Sequence, residues 1–213
     1  MLISLQHLHI TTKQTILSEK DFAGLSNVHT LTFEYCDNLK FLFRRAQLLS
    51  LEVWLVQSCG SLESLPLHIL PKLEALLVRQ CRMLNLSLNC ESAIQRLRMK
   101  FLHLAADTLL TLLIINFHSL KMLPEWLTTM THLKMLHIAN CPLLLCLPTD
   151  MHRLTALEDL SIDACPELCR KCEPQSGEYW SFIAHIKHLS IGETREGHLL
   201  FRMQSRLRLE LRG

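Results

Sequence analysis

The chain has 213 residues, of which 49% are hydrophobic but only 6% aromatic, so leucine must fill most of any core. A formal net charge of +2 argues against a nucleic-acid partner, because binding by counterion release requires a concentrated basic face. Residues 1–14 lack the basic start and long apolar centre of a secretion signal, and the most apolar run, 109–115, is too short to span a bilayer. These features predict a cytoplasmic protein with no membrane span.

One motif recurs along the chain: L-x-x-L-x-L-x-x-C-x-x-L-x-x-L-P. Its clearest copies are Leu51–Pro66, Leu109–Pro124 and Leu133–Pro148. The first residues of the central L-x-L pairs are, in chain order, Leu8, Leu31, Trp54, Leu76, Leu97, Leu112, Leu136, Leu160 and Leu189. Most of the intervals are 21–24 residues long, although only 15 residues separate Leu97 from Leu112.

This period predicts a leucine-rich-repeat solenoid, a curved α/β-type horseshoe or arc. About nine short strands should form a parallel sheet on its concave face, opposite an irregular or short-helical convex side. Residues 1–192 are predicted as the repeat domain, without an N-terminal cap before the first coil. Because an uncapped stack exposes apolar edges and strand backbone, we expect residues 1–25 to fray or to promote aggregation.

Two segments near the carboxyl end do not follow the motif. Residues 173–181 are predicted as a loop before the last strand. Residues 193–213 are predicted as a C-terminal tail or capping segment, in which Arg206–Arg212 alternates charged and apolar side chains. That alternation fits a capping strand, and its charge also fits a loose, solvated tail.

Each L-x-L pair alternates with period two, which predicts apolar side chains pointing inward and the intervening residues lying on the concave face. In the middle of the chain these concave positions combine leucine with basic residues, which predicts an exposed docking patch for an acidic protein partner. The candidate partner-binding residues are Leu55, Leu77, Arg79, Arg98, Lys100, Leu113, Ile115 and His137. Two alternatives stay open: Leu55 and Leu77 are covered by their neighbours, or the register is shifted by one residue.

A cysteine follows most of the predicted strands, where the chain must turn. The slot holds Cys36, Cys59, Cys81, Cys141 and Cys165, with Leu102 and Phe117 in two less regular copies. A buried thiol fits the apolar interior and offers a weak S–H donor to a turn carbonyl. Neighbouring coils bring these thiols within the range of a disulfide, but recurrent packing in a reducing compartment favours free cysteines.

Cys169-x2-Cys172 followed by His185-x2-His188 approaches the spacing of a two-cysteine, two-histidine zinc site. The gap between the histidines is too short, and residues three apart on a strand point to opposite faces. Neither a metal site nor a cofactor is therefore predicted. The other histidines have no acid or nucleophile paired with them by spacing, and motifs for serine hydrolases, zinc proteases and phosphate-binding loops are absent from the sequence. The sequence does not predict an enzyme.

The closing repeats carry a more specific pattern than the leucine period. C-P-x-L units are followed by G-E-x-W and I-A-H-I segments, at Cys141–Leu144, Cys165–Leu168, Gly177–Trp180 and Ile183–Ile186. From about Val28 to Gly192 the chain therefore resembles the leucine-rich-repeat region of plant intracellular nucleotide-binding leucine-rich-repeat disease-resistance receptors, in particular the closing repeats of their coiled-coil class.

This resemblance implies a sensor module that recognises a pathogen effector, or a host protein modified by one, in the plant defense response. It also implies a contact in cis with the nucleotide-binding domain of the parent receptor. Because the resemblance covers the repeats alone, no nucleotide is expected to bind this chain. Residues 193–213 match nothing in the family pattern.

Two other functions remain open. A ubiquitin-ligase substrate receptor also uses cysteine-bearing leucine-rich repeats, but these are longer, more uniform and preceded by an F-box segment. A truncated receptor product would act as a stand-alone scaffold or decoy that binds without signalling.

Overall fold

The computed structural model describes residues 4–43, 45, 48–86 and 107–192. Within them, eight strands form one parallel sheet in which sequence order is spatial order. The strands are β1 His7–Ile10, β2 Thr30–Glu34, β3 Val53–Gln57, β4 Ala75–Arg79, β5 Thr111–Ile115, β6 Met135–Ala139, β7 Asp159–Asp163 and β8 His188–Ile191. The predicted solenoid and its parallel sheet are confirmed.

In the described part of the chain, the side away from the sheet carries only short helices, as the sequence predicts. Four 3-10 helices are η1 Glu19–Phe22, η2 Leu67–Ile69, η3 Glu125–Thr129 and η4 Met151–Arg153. Two α-helices, α1 Pro166–Lys171 and α2 Trp180–Ile183, lie between β7 and β8. Part of the predicted loop 173–181 is therefore helical, because α2 begins at Trp180. Among the described residues, no helix is both long and apolar enough to cross a membrane.

The core lies between the sheet and the short helices. The second and fourth residues of the strands point into it, and in β2 and β3 these are the fully buried Leu31, Phe33, Trp54 and Val56. The first coils contain an aromatic cluster in which the rings of Phe22 and Phe43 are 4.5 Å apart. From β5 onward aliphatic side chains and cysteine provide most of the packing, with Phe117 and Trp126 also buried.

The chain turns in the same way after six successive strands, β2 to β7. The residue that follows each strand has a positive φ, between 49° and 62°; these residues are Tyr35, Ser58, Gln80, Asn116, Asn140 and Ala164. A left-handed residue at this point reverses the chain direction sharply. In the first five of these turns, its backbone N–H donates to the last carbonyl of the next strand, as from Asn116 to Ala139 at 2.9 Å.

The cysteine slot comes directly after this left-handed residue. Cys36, Cys59, Cys81, Cys141 and Cys165 are buried free thiols, and Phe117 is buried in the same slot. The Sγ of each thiol donates to the carbonyl two residues earlier, at 3.2 Å for Cys165 and 3.6 Å for Cys36. The predicted burial and donor role are confirmed, while Leu102 lies outside the described residues.

One predicted strand is not found at its expected position in the sheet. β4 pairs directly with β5, with Leu76 opposite Leu112, so no strand centred on Leu97 lies between them. Leu97 itself lies outside the described residues. The expectation of a strand at this point was wrong, because the local L-x-L pattern does not by itself make a coil when only 15 residues separate it from the next copy.

Candidate interaction surface

The concave face consists of the first, third and fifth residues of the strands, which point away from the core. The in-register pairing arranges them in straight rows across the sheet. The central row contains His9, Thr32, Leu55, Leu77, Leu113, His137, Ser161 and Ser190. The last row contains Glu34, Gln57, Arg79, Ile115, Ala139 and Asp163. The predicted register is confirmed.

An apolar cluster occupies the middle of this face. Leu77, Leu113, Ile115 and Ala139 form it, and the half-buried Leu55 and Met135 pack against it. Leu113 is only 1% exposed and Ile115 only 2%. The expectation of an exposed leucine patch was therefore wrong for Leu77, Leu113 and Ile115, because the register fixes the direction of a side chain and not what lies above it.

A polar cluster follows the apolar cluster along the sheet. Ser161 Oγ donates to Asp163 Oδ2 at 3.1 Å, and His137 Nδ1 lies 3.9 Å from the same oxygen. All three side chains are buried, so the expectation that His137 is exposed on the concave face was wrong. Burial lowers the pKa of His137 to about 4, because the apolar surroundings disfavour the imidazolium form. His137 is therefore neutral near pH 7.

Serine, histidine and aspartate side chains together raise the question of nucleophilic catalysis. In a catalytic triad the nucleophile must donate to the histidine, and the carboxylate must hold the other ring nitrogen. Here Ser161 bonds to Asp163 instead of His137, and the 3.9 Å separation of His137 from Asp163 is longer than a hydrogen bond. This arrangement stabilises the buried carboxylate and does not activate Ser161.

The amino-terminal end of the face is more accessible. Gln57 Nε2 donates to Glu34 Oε1 at 3.1 Å, and His9 Nε2 lies 3.4 Å from Glu34 Oε2. Thr32, Leu55 and Gln57 are half-buried. Arg79, which follows them in the last row, is also half-buried.

The structure brings six of the eight predicted contact residues onto the two rows. Leu55, Leu77, Leu113 and His137 lie in the central row, and Arg79 and Ile115 are neighbours in the last row. Arg98 and Lys100 lie outside the described residues. The predicted basic strip does not continue through Arg79 across the sheet, because its neighbour there is Ile115.

Sequence reasoning missed Ser161 and Asp163 as partners of His137. The available signal was the register itself, since His137 and Ser161 occupy the same row on adjacent strands and Asp163 follows two residues later. Spacing along the chain does not reveal this relation, because 24 residues separate the first two side chains.

The cysteines and histidines of the zinc-like spacing are not arranged as a metal site. Cys169 Sγ donates to the Ile162 carbonyl at 3.4 Å, whereas His185 and His188 are exposed. In the described part of the chain, no group of three or more histidine, cysteine, aspartate and glutamate side chains is placed to hold a metal ion. Burial raises the pKa of the Cys172 thiol to about 12, so this cysteine remains protonated near pH 7.

Comparison with known proteins gives a partial match. No family model matches the chain. A stretch of 54 residues is 40% identical to the putative disease resistance protein RGA4 of Solanum bulbocastanum. The match covers 25% of this chain and 6% of that much longer protein. The chain is thus a leucine-rich-repeat solenoid that is similar, over a quarter of its length, to part of a plant disease resistance protein.

Proposed function

We propose that this solenoid is the recognition module of a plant innate immune receptor acting in the cytoplasm. Its concave face would bind a pathogen effector, or a host protein modified by an effector. The observation that carries this proposal is the partial similarity to a disease resistance protein. It is joined by the fold, in which the strands hold their outward side chains in register. Straight rows of unlike side chains on a rigid sheet are suited to protein recognition.

The accessible part of the concave face indicates where binding would begin. Thr32, Leu55, Gln57 and Arg79 lie on adjacent strands and are half-buried, so each offers some surface to a partner. Leu55 offers an apolar anchor, Gln57 offers hydrogen-bonding groups and Arg79 offers positive charge. Arginine with an apolar neighbour is a frequent combination in the energetic centre of protein interfaces. A partner with an acidic group beside an apolar side chain would fit this part.

We further propose that the module acts by binding and catalyses no reaction, which agrees with the geometry of Ser161, His137 and Asp163. In the parent receptor, the nucleotide-binding domain would be a second partner in cis. Recognition of an effector would then be coupled to release of that domain. Neither step requires a cofactor on this chain.

The proposal is tested with a two-hybrid screen of the chain against secreted pathogen proteins, followed by affinity measurement on purified pairs. Leu55→Glu combined with Arg79→Glu should weaken genuine pairs by at least about tenfold, roughly 1.4 kcal/mol. The matched control combines Met122→Glu with Leu143→Glu, two exposed apolar residues outside the sheet. The control should keep the affinity of the wild-type protein.

The purified nucleotide-binding domain of the parent receptor is the second probe. If the control variant lost affinity for a binding partner while the concave-face variant kept it, the assignment of the binding site to the concave face would be overturned. Failure of the screen to yield any pair sensitive to the concave-face variant would overturn effector recognition itself.

A further inference from the structure

The last row of the concave face carries two opposite charges at a fixed separation. Glu34 lies on β2 and Arg79 on β4, and Gln57 of β3 is paired with both in register. Two strand spacings therefore separate Glu34 from Arg79, which places their backbones about 10 Å apart. The half-buried Leu55 precedes Gln57 by two residues on β3 and lies in the central row. This part of the face thus combines a negative, an apolar and a positive group.

Glu34 is held in place by its neighbours. Gln57 Nε2 donates to Glu34 Oε1 at 3.1 Å, and His9 Nε2 lies 3.4 Å from Glu34 Oε2. The Glu34 side chain nevertheless keeps 26% of its surface exposed. Because a carboxylate has about four acceptor positions, Glu34 can accept further hydrogen bonds from a partner. It therefore presents a fixed negative charge to a group that lies over β2.

Arg79 differs from Glu34, because part of its guanidinium group lacks a partner. Its Nε is buried and makes no hydrogen bond in the described part of the chain. Its neighbours in the last row are Gln57 and Ile115, and neither of these side chains carries a charge. A carboxylate that accepts from Nε and a terminal nitrogen together forms the bidentate pair that arginine favours. An acidic group of a partner would therefore bind at Arg79.

We propose that the partner presents an amphipathic α-helix that lies across β2, β3 and β4. An acidic residue of this helix contacts Arg79, a basic residue contacts Glu34 and a large apolar residue packs on Leu55. The two charged residues are seven positions apart, and the apolar residue is three or four positions from each of them. This inference deepens the proposed function and rests on it, because it names the chemistry of the recognised surface.

The spacing of the strands favours a helix over an extended segment. Residues seven apart in a helix project from nearly the same side and are about 10.5 Å apart along the axis, which matches the separation of Glu34 from Arg79. Residues three or four apart are separated by about 4.5–6 Å, close to the strand spacing of about 4.8 Å. In an extended segment, side chains on one face repeat about every 6.7 Å. Two of them are then about 7 or 13 Å apart and do not fit both charges.

The geometry of a helix also accounts for the position of Leu55. The residue three or four positions after the first charged residue projects to one side of the line that joins the two charged residues. Leu55 lies in the central row, to one side of the line from Glu34 to Arg79. An apolar residue of the partner therefore meets Leu55 while the charged residues meet the last row.

A displayed peptide library tests this preference on the full chain. One face of a helical peptide is randomised at positions i, i+3, i+4 and i+7, and the library is selected on the immobilised protein. We expect the enriched peptides to carry a basic residue at one end of the face, an acidic residue at the other end and a large apolar residue between them. A control peptide of the same composition has the acidic residue at i+5, on the far side of the helix. It should bind at least about tenfold more weakly.

Charge reversal in the protein identifies the two contacts. Arg79→Glu and Glu34→Lys should each weaken binding of the enriched peptides by about tenfold or more, because attraction becomes repulsion. The matched controls are Arg82→Glu and Glu63→Lys, since Arg82 and Glu63 are exposed and lie outside the strands. Both control proteins should keep the wild-type affinity.

A compensating pair tests the contact of Arg79 with the acidic residue. An enriched peptide in which lysine replaces the acidic residue should lose affinity for the wild-type protein and regain it for the Arg79→Glu protein. Arg79→Gln removes the charge without reversing it and should also weaken the original peptide. This variant keeps the test decisive where the reversed charge lowers the stability of the fold.

The helix assignment would be overturned by enriched peptides without this order of charges, by an affinity that survives Arg79→Glu, or by a library that yields no binder. Natural partners give a separate result. A natural pair that depends on Arg79 but presents an extended segment would overturn the helix and leave effector recognition standing. Enrichment of the expected peptides without any natural pair would support the helix and overturn effector recognition.

Discussion

Two neighbouring regions of the concave face are equally buried and opposite in chemistry. Leu113 and His137 are adjacent in the central row, with exposures of 1% and 2%. Leu113 belongs to the apolar cluster, whereas His137 lies beside the buried Asp163 and Ser161. The repeat gives both residues the same position in a coil. Burial at that position is therefore compatible with leucine and with histidine, provided that each finds suitable neighbours.

The two regions are stabilised by different terms. Burial of each leucine side chain contributes about 1.5–3 kcal/mol to the stability of the fold at any pH. The polar cluster gains stability only while its hydrogen bonds and protonation states are maintained, because an unsatisfied buried group costs about 1–3 kcal/mol. Substitutions in the apolar region should thus change stability by altering side-chain size or by introducing a charge. Substitutions in the polar region should change stability by removing hydrogen bonds or by altering how stability depends on pH.

The largest effect is expected when a charge is placed in the apolar region. Leu113→Asp should lower the free energy of unfolding by more than about 3 kcal/mol, because a carboxylate would be buried among leucine, isoleucine and alanine side chains. Leu55→Asp is the matched control, since Leu55 is half-buried in the same row. It should cost about 1 kcal/mol. Urea unfolding followed by circular dichroism measures both values.

Equal and small costs at the two positions would contradict the burial of Leu113. A large cost at both positions would instead show that Leu55 is covered as well.

The polar region should make stability depend on pH. The pKa of His137 is lowered from 6.5 to about 4 in the folded protein, so the unfolded chain binds the proton first as the pH falls. The free energy of unfolding should therefore be unaffected by this group above pH 6.5 and should fall by up to about 3 kcal/mol between pH 6.5 and 4. His137→Leu should remove this part of the pH dependence. Urea unfolding at pH 7 and pH 4.5 measures the difference.

His9→Leu is the matched control for the titration, because His9 lies in the same row and is exposed. The control should keep the wild-type loss of stability on acidification. If His137→Leu kept it as well, the pKa of His137 would not be lowered in the folded protein, and other groups would cause the loss.

Much of the fold could be predicted because the repeat expresses two simple constraints. Period-two alternation fixes which strand residues point inward, as with Leu31 and Phe33. The position after most of the turns takes a small side chain that can bond to a carbonyl, as Cys59 and Cys141 do. Both constraints act within one coil. A single sequence therefore contains the information needed to predict them.

What could not be predicted depends on contacts between segments that are distant along the chain. The copy at Leu97 fits the local pattern, and only the pairing of β4 with β5 shows that it has no place between them. Likewise, no spacing rule indicates that Leu77 and Ile115 are covered or that Asp163 lies next to His137. Burial on the outer face of a sheet depends on what lies over it, and the period carries no information about that.

The smallest effect is expected from a single hydrogen bond of the polar region. Ser161→Ala removes the 3.1 Å bond to Asp163 and should lower the free energy of unfolding by about 1–2 kcal/mol, because the buried carboxylate loses a donor. Ser190→Ala is the matched control in the same row on β8, where the side chain is half-buried. The control should stay within about 0.5 kcal/mol of the wild-type protein. Chemical unfolding at pH 7 resolves the two values.

Equal costs for Ser161→Ala and Ser190→Ala would mean that Ser161 contributes by packing, as a leucine does, and not through its bond to Asp163. The polar region would then resemble the apolar one, and the contrast between the two halves of the face would rest on His137 alone.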